Sequence, residues 1–586
     1  MARRPTAAAV AGAICGLALA LSACAQIPTS GPVERGAPVL SAEDDPQVRV
    51  LPRGPVPGQT PQQVVAAFLD ASASFEDDHR VARQFLTPRA RDVWKADAGV
   101  TVLDDLPRPT FELKGDRVVV RARQTARITA DGAFLPSGGT PIQESFRMKQ
   151  DGDLWQIAAL PQGLMLDRLE VSLAYRAFDI YFMNPSHTFL VADPVHLPVT
   201  QAGSATSLVQ AMLTGPTRWL RPAVDSAIPA GTSLNLGSVP VENGVAQVDL
   251  SAEFYDATPE GLEEASAQIT ATLLELSPSV TDVSISVEGQ PLQLPSAPPI
   301  FTSETWERYD SDTLTPALGA LYVDDGVVYR IDGDNRPTVQ GAFGTGDFDV
   351  RDPSMSWNGG IVTALNQSRT ELLLNNPFLS LRVDDTVEGR RFLPATIDGD
   401  DRAWLLDVGG REPRLRVRTG DRWRSAVLRA PAGEIRSFRV SPDGARVAVV
   451  ISRGSGSRDS RDAPGSRDSG ARSELMVGRV VQGADGYRVE AFRTVDRDLA
   501  DVRDASWVDA RTLVVIASNA GSVVKPMLVN IDRTVTELTS DLVGATTVSG
   551  APGLPLLAAT RRGVIVTSNA SDWRALVDGS DPTYPG

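Results

Sequence analysis

The second half of the chain repeats itself. A strand-like run, a polar turn carrying Asp or Gly and a second apolar run recur over Ala320 to Arg330, Met355 to Val362, Thr396 to Leu405, Phe438 to Val450, Ala505 to Ile516 and Thr546 to Leu557. Matching positions return about every 40–46 residues, apart from one gap of about 67. Inside that gap, Arg453 to Ser473 carries Gly-Ser-Arg-Asp-Ser twice, at 456–460 and 465–469. The segment is polar and low in complexity, which predicts a disordered loop over 453–473. Discounting its roughly 20 residues restores the period. Short strands at such a period bury their apolar faces only by stacking radially, so the spacing predicts an all-β propeller over 301–586. About six blades are expected, with seven as the alternative. Trp357, Trp404, Trp507 and Trp573 are expected to pack between blades rather than to bind sugar.

The other end carries an address. Arg3 and Arg4 precede an apolar run from Ala7 to Ala20, and small residues follow in Leu21-Ser22-Ala23-Cys24. That order is a secretory signal, here over 1–23. The chain has 2 cysteines, and Cys15 lies within the part that would be removed. Cys24 is then alone and has no internal disulfide to make. The apolar run is shorter than the roughly 20 residues that span a bilayer. Pro5-Thr6 after the arginine pair argues against a twin-arginine route. Leu21 to Cys24 resembles the bacterial lipobox, which implies a diacylglycerol on the Cys24 sulfur and an acylated amino terminus. One acyl chain holds marginally and two hold stably, so such a cysteine is a lasting anchor outside the cytoplasm.

From Cys24 to residue 59 the chain is rich in Pro and Gly and shows no sustained period. It cannot bury a core and reads as a flexible tether, spanning roughly 30–35 Å. The net charge is −16, and the leader would take Arg3 and Arg4 with it. So acidic a surface repels phosphate backbones, which argues against nucleic-acid binding.

Two α+β domains are expected between tether and propeller, over 60–168 and 169–295. In the first, Thr60-Pro61 reads as a helix cap, with Val64, Val65, Phe68 and Leu69 on one face. Shorter helices are expected over Val81 to Phe85 and from Thr87-Pro88 through Trp94. Strands are expected at Val118 to Val120, Ala126 to Thr129, Ser145 to Met148 and Leu154 to Ile157, with turns at Asp131-Gly132 and Asp151-Gly152. Helices followed by an antiparallel meander resemble the nuclear-transport-factor-2-like (NTF2-like) cone.

In the second, strands are expected over Tyr175 to Met183 and Thr188 to Val191, and a helix carrying Leu208, Val209, Met212 and Leu213 stops at Gly215-Pro216. Asn243-Gly244 between alternating runs is a hairpin signal, since both turn residues need positive φ. A long helix starts after Thr258-Pro259 with Leu262, Ile269, Leu273 and Leu276 on one side, and Val283, Ile285 and Val287 form a closing strand. Ser207 to Leu213 with Gly215-Pro216, Ile228-Pro229-Ala230-Gly231-Thr232, Val248-Asp249-Leu250-Ser251 and Gln268 to Leu276 occur in that order, and together they resemble the GerMN domain of spore germination proteins.

Ser441-Pro442-Asp443-Gly444 resembles turns of TolB-like propeller blades. A lipobox, a tether, an α+β domain, a GerMN domain and a propeller, in this order, closely resemble the actinobacterial LpqB lipoprotein family. The resemblance implies a part in modulating the MtrA–MtrB two-component system through the extracellular domain of the sensor kinase MtrB.

Catalytic patterns are sparse. The 3 histidines, His79, His187 and His196, form no His-Glu-x-x-His array. There is no G-x-S-x-G elbow and no P-loop. Ser522-Val523-Val524-Lys525 matches S-x-x-K but lacks the partner motifs and precedes Pro526. Asp332-Gly333-Asp334-Asn335 and Asp398-Gly399-Asp400-Asp401 lack the twelve-residue calcium loop and read as blade turns. Glu260, Glu263 and Glu264 fit the acidic first turns of a helix, and Asp249 fits a solvated strand face. No catalytic, cofactor or metal site is expected. Two functions remain: a non-enzymatic lipoprotein that docks on an envelope partner such as the sensor kinase, or a cell-wall protein whose GerMN domain binds or cleaves peptidoglycan.

Overall fold

The computed structural model describes residues 53–586 except 76, 107, 199–203, 454–471, 497–498, 520–521, 532–534, 538–541 and 570–571. Cys24, the signal and most of the expected tether therefore lie outside the described residues, as does nearly all of the loop expected at 453–473. Residues from Pro52 to Gly586 form one compact unit.

The first helix, Pro61–Ser72, starts as its cap requires. Thr60 Oγ1 accepts from Gln63 N at 3.3 Å, Gln63 Oε1 accepts from Thr60 N at 2.9 Å, and Pro61 opens the helix. Val64, Val65, Phe68 and Leu69 are buried beneath it. They pack on a six-stranded sheet ordered Leu154–Ala159, Phe134–Asp151, Arg117–Thr129, Gly99–Leu103 and Leu164–Asp167, with Thr110–Lys114 paired to Arg117–Thr129. Val118 to Thr129, expected as two strands, is one continuous strand, and Ser145 to Met148 lies in the second half of an 18-residue one. The polar interruptions face outward, so they break the apolar run without breaking the hydrogen-bond ladder.

The next domain couples a sheet, two helices and a long hairpin. The sheet runs Gln290–Pro291, Asp282–Val287, Val245–Leu250, Val241–Glu242, with its central pair parallel. Asn243 and Gly244 turn the hairpin with φ of 53° and 83°. Helices Ser204–Thr214 and Pro259–Leu274 cover it, the second capped by Thr258. Tyr175–Met183 and Leu190–Pro198 form a separate antiparallel ribbon. Leu208, Val209, Ile269, Leu273, Val248 and Ile285 share one buried core. Phe301, Trp306 and Tyr309, expected at the start of the propeller, belong to this core as well. The backbone explains the difference: Val283 and Phe301 exchange hydrogen bonds of 2.8 and 2.9 Å, so the chain adds an edge here before leaving.

The propeller begins at Ala320–Asp324. Four-stranded antiparallel sheets cover 350–388, 525 and its neighbours from Leu499 to Glu537, and Ala545 to Asp578. An eight-stranded sheet lies between them, its halves joined where Val427 and Leu428 pair in parallel with Arg488 and Val489. The last strand, Ser580–Thr583, returns to pair with Ala320–Asp324, so the two ends of the domain close one sheet. Trp357, Trp404 and Trp507 are buried in the apolar clusters, and Trp573 is half-buried against another. Burying each large apolar side chain contributes about 1.5–3 kcal/mol.

Candidate functional site: the turn-bearing rim of the propeller

In an antiparallel sheet of four strands, the first and third turns lie at the same end. Three first turns of the propeller, at that end, grip the preceding domain. In the turn Asp398 to Arg402, the Asp398 carboxylate accepts from Arg402 Nε and Trp404 Nε1, both at 2.8 Å, and from the backbone N–H groups of Asp400 and Arg402 at 3.1 Å. Burial pulls the Arg402 pKa down, but Asp398 and Asp400 more than reverse this, and its pKa is raised. Arg402 then reaches Ser186 at 3.1 Å, and Asp400 accepts from Thr188 Oγ1 at 2.5 Å and Asn184 Nδ2 at 3.3 Å. Gly399 sits so close to Phe189 and the Pro442 carbonyl that a Cβ would lie 2.6–2.7 Å from them.

The second grip is Ser441 to Arg446. Asp443 Oδ2 lies 3.0 Å from Arg446 Nη1, with both side chains essentially inaccessible. Arg446 Nη2 also donates to the Ala192 carbonyl of the ribbon. The third is Arg511, which bridges to Asp179 and lies 3.6 Å from Glu275. Tyr181 donates to Glu275 at 2.9 Å in the same cluster.

The same rim continues onto the sheet over 350–388, whose third turn is open to solvent. Its third turn holds Phe378, Leu379 and Leu381, which are 54%, 83% and 73% exposed. The turn is tied down by its polar residues. Buried Asn375 donates to the carbonyls of Ser380 at 3.0 Å and Arg382 at 2.7 Å, and accepts from Ala342 N at 3.0 Å. Asp384 accepts from Asn376 N at 2.6 Å, and Asn376 Oδ1 accepts from Phe378 N at 3.0 Å. Gly359, in the first turn of that sheet, lies against the Phe378 ring. Asn358 beside it donates to Asp401 at 2.6 Å, which ties this sheet to the first grip.

Three of the four acids weighed for catalysis are engaged by neighbouring side chains. Asp249, expected on a solvated face, is half-buried and accepts from Asn235 at 2.7 Å and from Ser286 and Gly289 N at 2.8 Å. It clasps the loops at the sheet end, and although burial pushes its carboxyl up, those donors hold it below the usual range. Glu263 accepts from Ser296 and Arg308, Glu264 pairs with His187 at 2.8 Å, and Glu260 is exposed. His79 is buried against the Ser72 carbonyl at 3.0 Å, and burial lowers its pKa. His196 stacks on Phe134 with centroids 4.9 Å apart. Ser522 bonds the Asn519 carbonyl at 2.9 Å, and Lys525 opens a strand. Asp332 and Asn335 close a turn, as expected. Sequence reasoning found Asp398 and Asp443 as turn residues and missed their grip on the neighbouring domain, whose partners lie more than 200 positions away (216 for Asn184 to Asp400).

Comparison with known families agrees with this division. Residues 54–172 match the family described as lipoprotein LpqB, N-terminal domain, and 326–585 match the lipoprotein LpqB beta-propeller domain. Residues 179–293 match the family described as sporulation and spore germination. Lipoprotein LpqB of Thermobifida fusca is 30% identical, over 97% of this chain and 97% of its own length. The chain belongs to the LpqB lipoprotein family. Within that family, LpqB of Streptomyces coelicolor is 26% identical over 100% of this chain and 98% of its own length. Among solved structures, the first GerMN domain of GerM from Bacillus subtilis aligns with 22% of this LpqB-family chain and 98% of its own, at 21% identity and a TM-score of 0.19. TolB from Acinetobacter baumannii aligns over 45% of this chain and 65% of its own, at 12% identity and a TM-score of 0.34. Among the described residues no helix is long and apolar enough to cross a membrane.

Proposed function

We propose that this chain is a non-enzymatic lipoprotein, anchored through Cys24 on the extracytoplasmic side of the cell membrane, that docks on the extracellular domain of the sensor kinase MtrB and so modulates the MtrA–MtrB system. The partner is the one the family resemblance implies. The observation that carries the docking reading is the turn of Phe378, Leu379 and Leu381: large apolar side chains held out in solvent by a buried asparagine and its hydrogen bonds. Exposed apolar patches mark interaction sites, and a turn already ordered before binding loses little entropy on docking. In this reading the propeller has six blades, the eight-stranded sheet counting as two and the three-stranded sheet as the one closed by both ends. The amino-terminal domain is an NTF2-like cone that spaces the assembly from the tether.

The test is binding of the mature lipoprotein in nanodiscs to the purified MtrB extracellular domain. The reading expects saturable binding, weakened at least about tenfold when Phe378, Leu379 and Leu381 are all replaced by Ser, with the unfolding midpoint unchanged. Undiminished binding by that variant overturns the docking site. Release of glycan from purified peptidoglycan, or saturable wall binding with no binding to the sensor, overturns the function in favour of a cell-wall role.

A further inference from the structure

All three domains meet around a cleft that no part of the docking account uses. Its outer chamber, of about 610 Å³, lies between the sheet of the first domain and the ribbon of the second. Its inner end, of about 80 Å³, reaches the propeller. The two share Phe134, His196 and Val495 as walls. An outer chamber of that size suits a small organic ligand, and the inner end has room for several waters or one compact charged head.

The inner end has more donors than acceptors. Asp193 is buried there, and both its oxygens are taken, by Thr217 N at 2.6 Å and Thr217 Oγ1 at 3.0 Å. Burial pushes its carboxyl up to about 6, so it adds little negative charge below that pH. Arg446 is 1% exposed; its Nη1 pairs with Asp443 and its Nη2 bonds the Ala192 carbonyl, but its Nε has no hydrogen-bond partner. Arg493 lies 4.9 Å from the centroid of the Trp219 ring and makes no ion pair within 4 Å among the described residues. Burial lowers its pKa to about 10, with Arg479 adding to the shift and Asp193 and Asp131 opposing it. The remaining wall is aromatic: Phe134 stacked on His196, and the Trp219 indole fixed by its bond to the Ala491 carbonyl at 2.7 Å. In the outer chamber Arg123 and Arg168 are matched by Asp104 and Asp496, whereas the inner end offers an unpartnered Arg446 Nε and an Arg493 guanidinium without an ion pair within 4 Å among the described residues.

We propose that this cleft binds a small organic anion, its charged head between Arg446 and Arg493 and its flat or apolar body against Phe134, His196 and Trp219. Guanidinium donors suit a carboxylate or a phosphate, and the aromatic wall suits a planar ring or a short chain. Such a ligand touches all three domains at once and stabilises their junction by its binding free energy.

The test is isothermal titration of the full chain in detergent with three soluble probes: phenyl phosphate, benzoate and butyl phosphate. Benzoate against phenyl phosphate identifies the head, and butyl against phenyl phosphate identifies the body. At least one probe is expected to saturate, and Arg493→Gln is expected to weaken it at least about tenfold. Should R493Q unfold, Arg493→Lys serves in its place, since it keeps the charge but loses the forked donors. Trp219→Leu is expected to weaken the aryl probes more than butyl phosphate. Saturation by none of the three probes, or full affinity retained by the folded Arg493 variant, overturns the proposal.

Discussion

Asp443 shows how a single carboxylate can hold two domains. It is fully buried, closes its own turn through Ala445 N at 2.9 Å, and neutralises Arg446, which is itself buried against the neighbouring ribbon. Removing one partner of such a pair leaves an uncompensated charge in the interior, which costs about 3–5 kcal/mol. Asp443→Ala is expected to lower the denaturant midpoint accordingly, whereas Asp334→Ala, in an exposed turn, leaves it within about 0.5 kcal/mol. Both turns carry an aspartate at their third position, and the sequence does not tell their roles apart. Thr60-Pro61 and Asn243-Gly244 were legible there because their chemistry is local, a cap and a positive-φ turn. The work of Asp398, Asp400 and Gly399 was not, because it consists of contacts with Asn184, Thr188 and Phe189, far away in the chain.

At the scale of elements, the junction before the propeller carries a pH dependence. Asp312 lies in the short helical turn Ser311–Thr313 and accepts from Ala510 N at 2.9 Å. Burial, then Asp509, pushes its carboxyl up to about 7; Asp310 adds to this and Arg511 opposes it. The folded chain thus keeps a proton that the unfolded chain releases near pH 4, so stability falls as pH rises from about 4 to about 7 and is level above that. Asp312→Asn keeps the acceptor and removes the titration. Unfolding followed by fluorescence is expected to show the variant up to about 4 kcal/mol more stable than the parent at pH 8 and indistinguishable at pH 4. Some slope remains, since burial also raises Glu170 to about 7 and Asp193 to about 6. The elements themselves were largely readable: the repeat announced the propeller, and the 3.6-residue period announced the helices. The strands of the first domain were read in pieces because a long strand carries polar residues on its solvent-facing side. Phe301 to Tyr309 was assigned forward because an apolar run does not say which of two flanking cores takes it.

On the scale of the whole molecule, buried ion pairs and backbone bonds join the three domains, and one apolar turn on the joined rim is left to solvent. Nothing in the sequence analysis singled out Phe378, Leu379 and Leu381; only the folded structure reveals their exposure. A net charge of −16 disfavours attraction to phosphate or anionic lipid, so the proposed docking relies on shape and apolar contact. The most direct measurement is photo-crosslinking in living cells with benzoylphenylalanine at position 379, and at exposed position 412 on the opposite end of the propeller as the control. The account predicts an adduct with the sensor kinase from position 379 and none from 412; no kinase adduct from 379, or equal adducts from both, would contradict it.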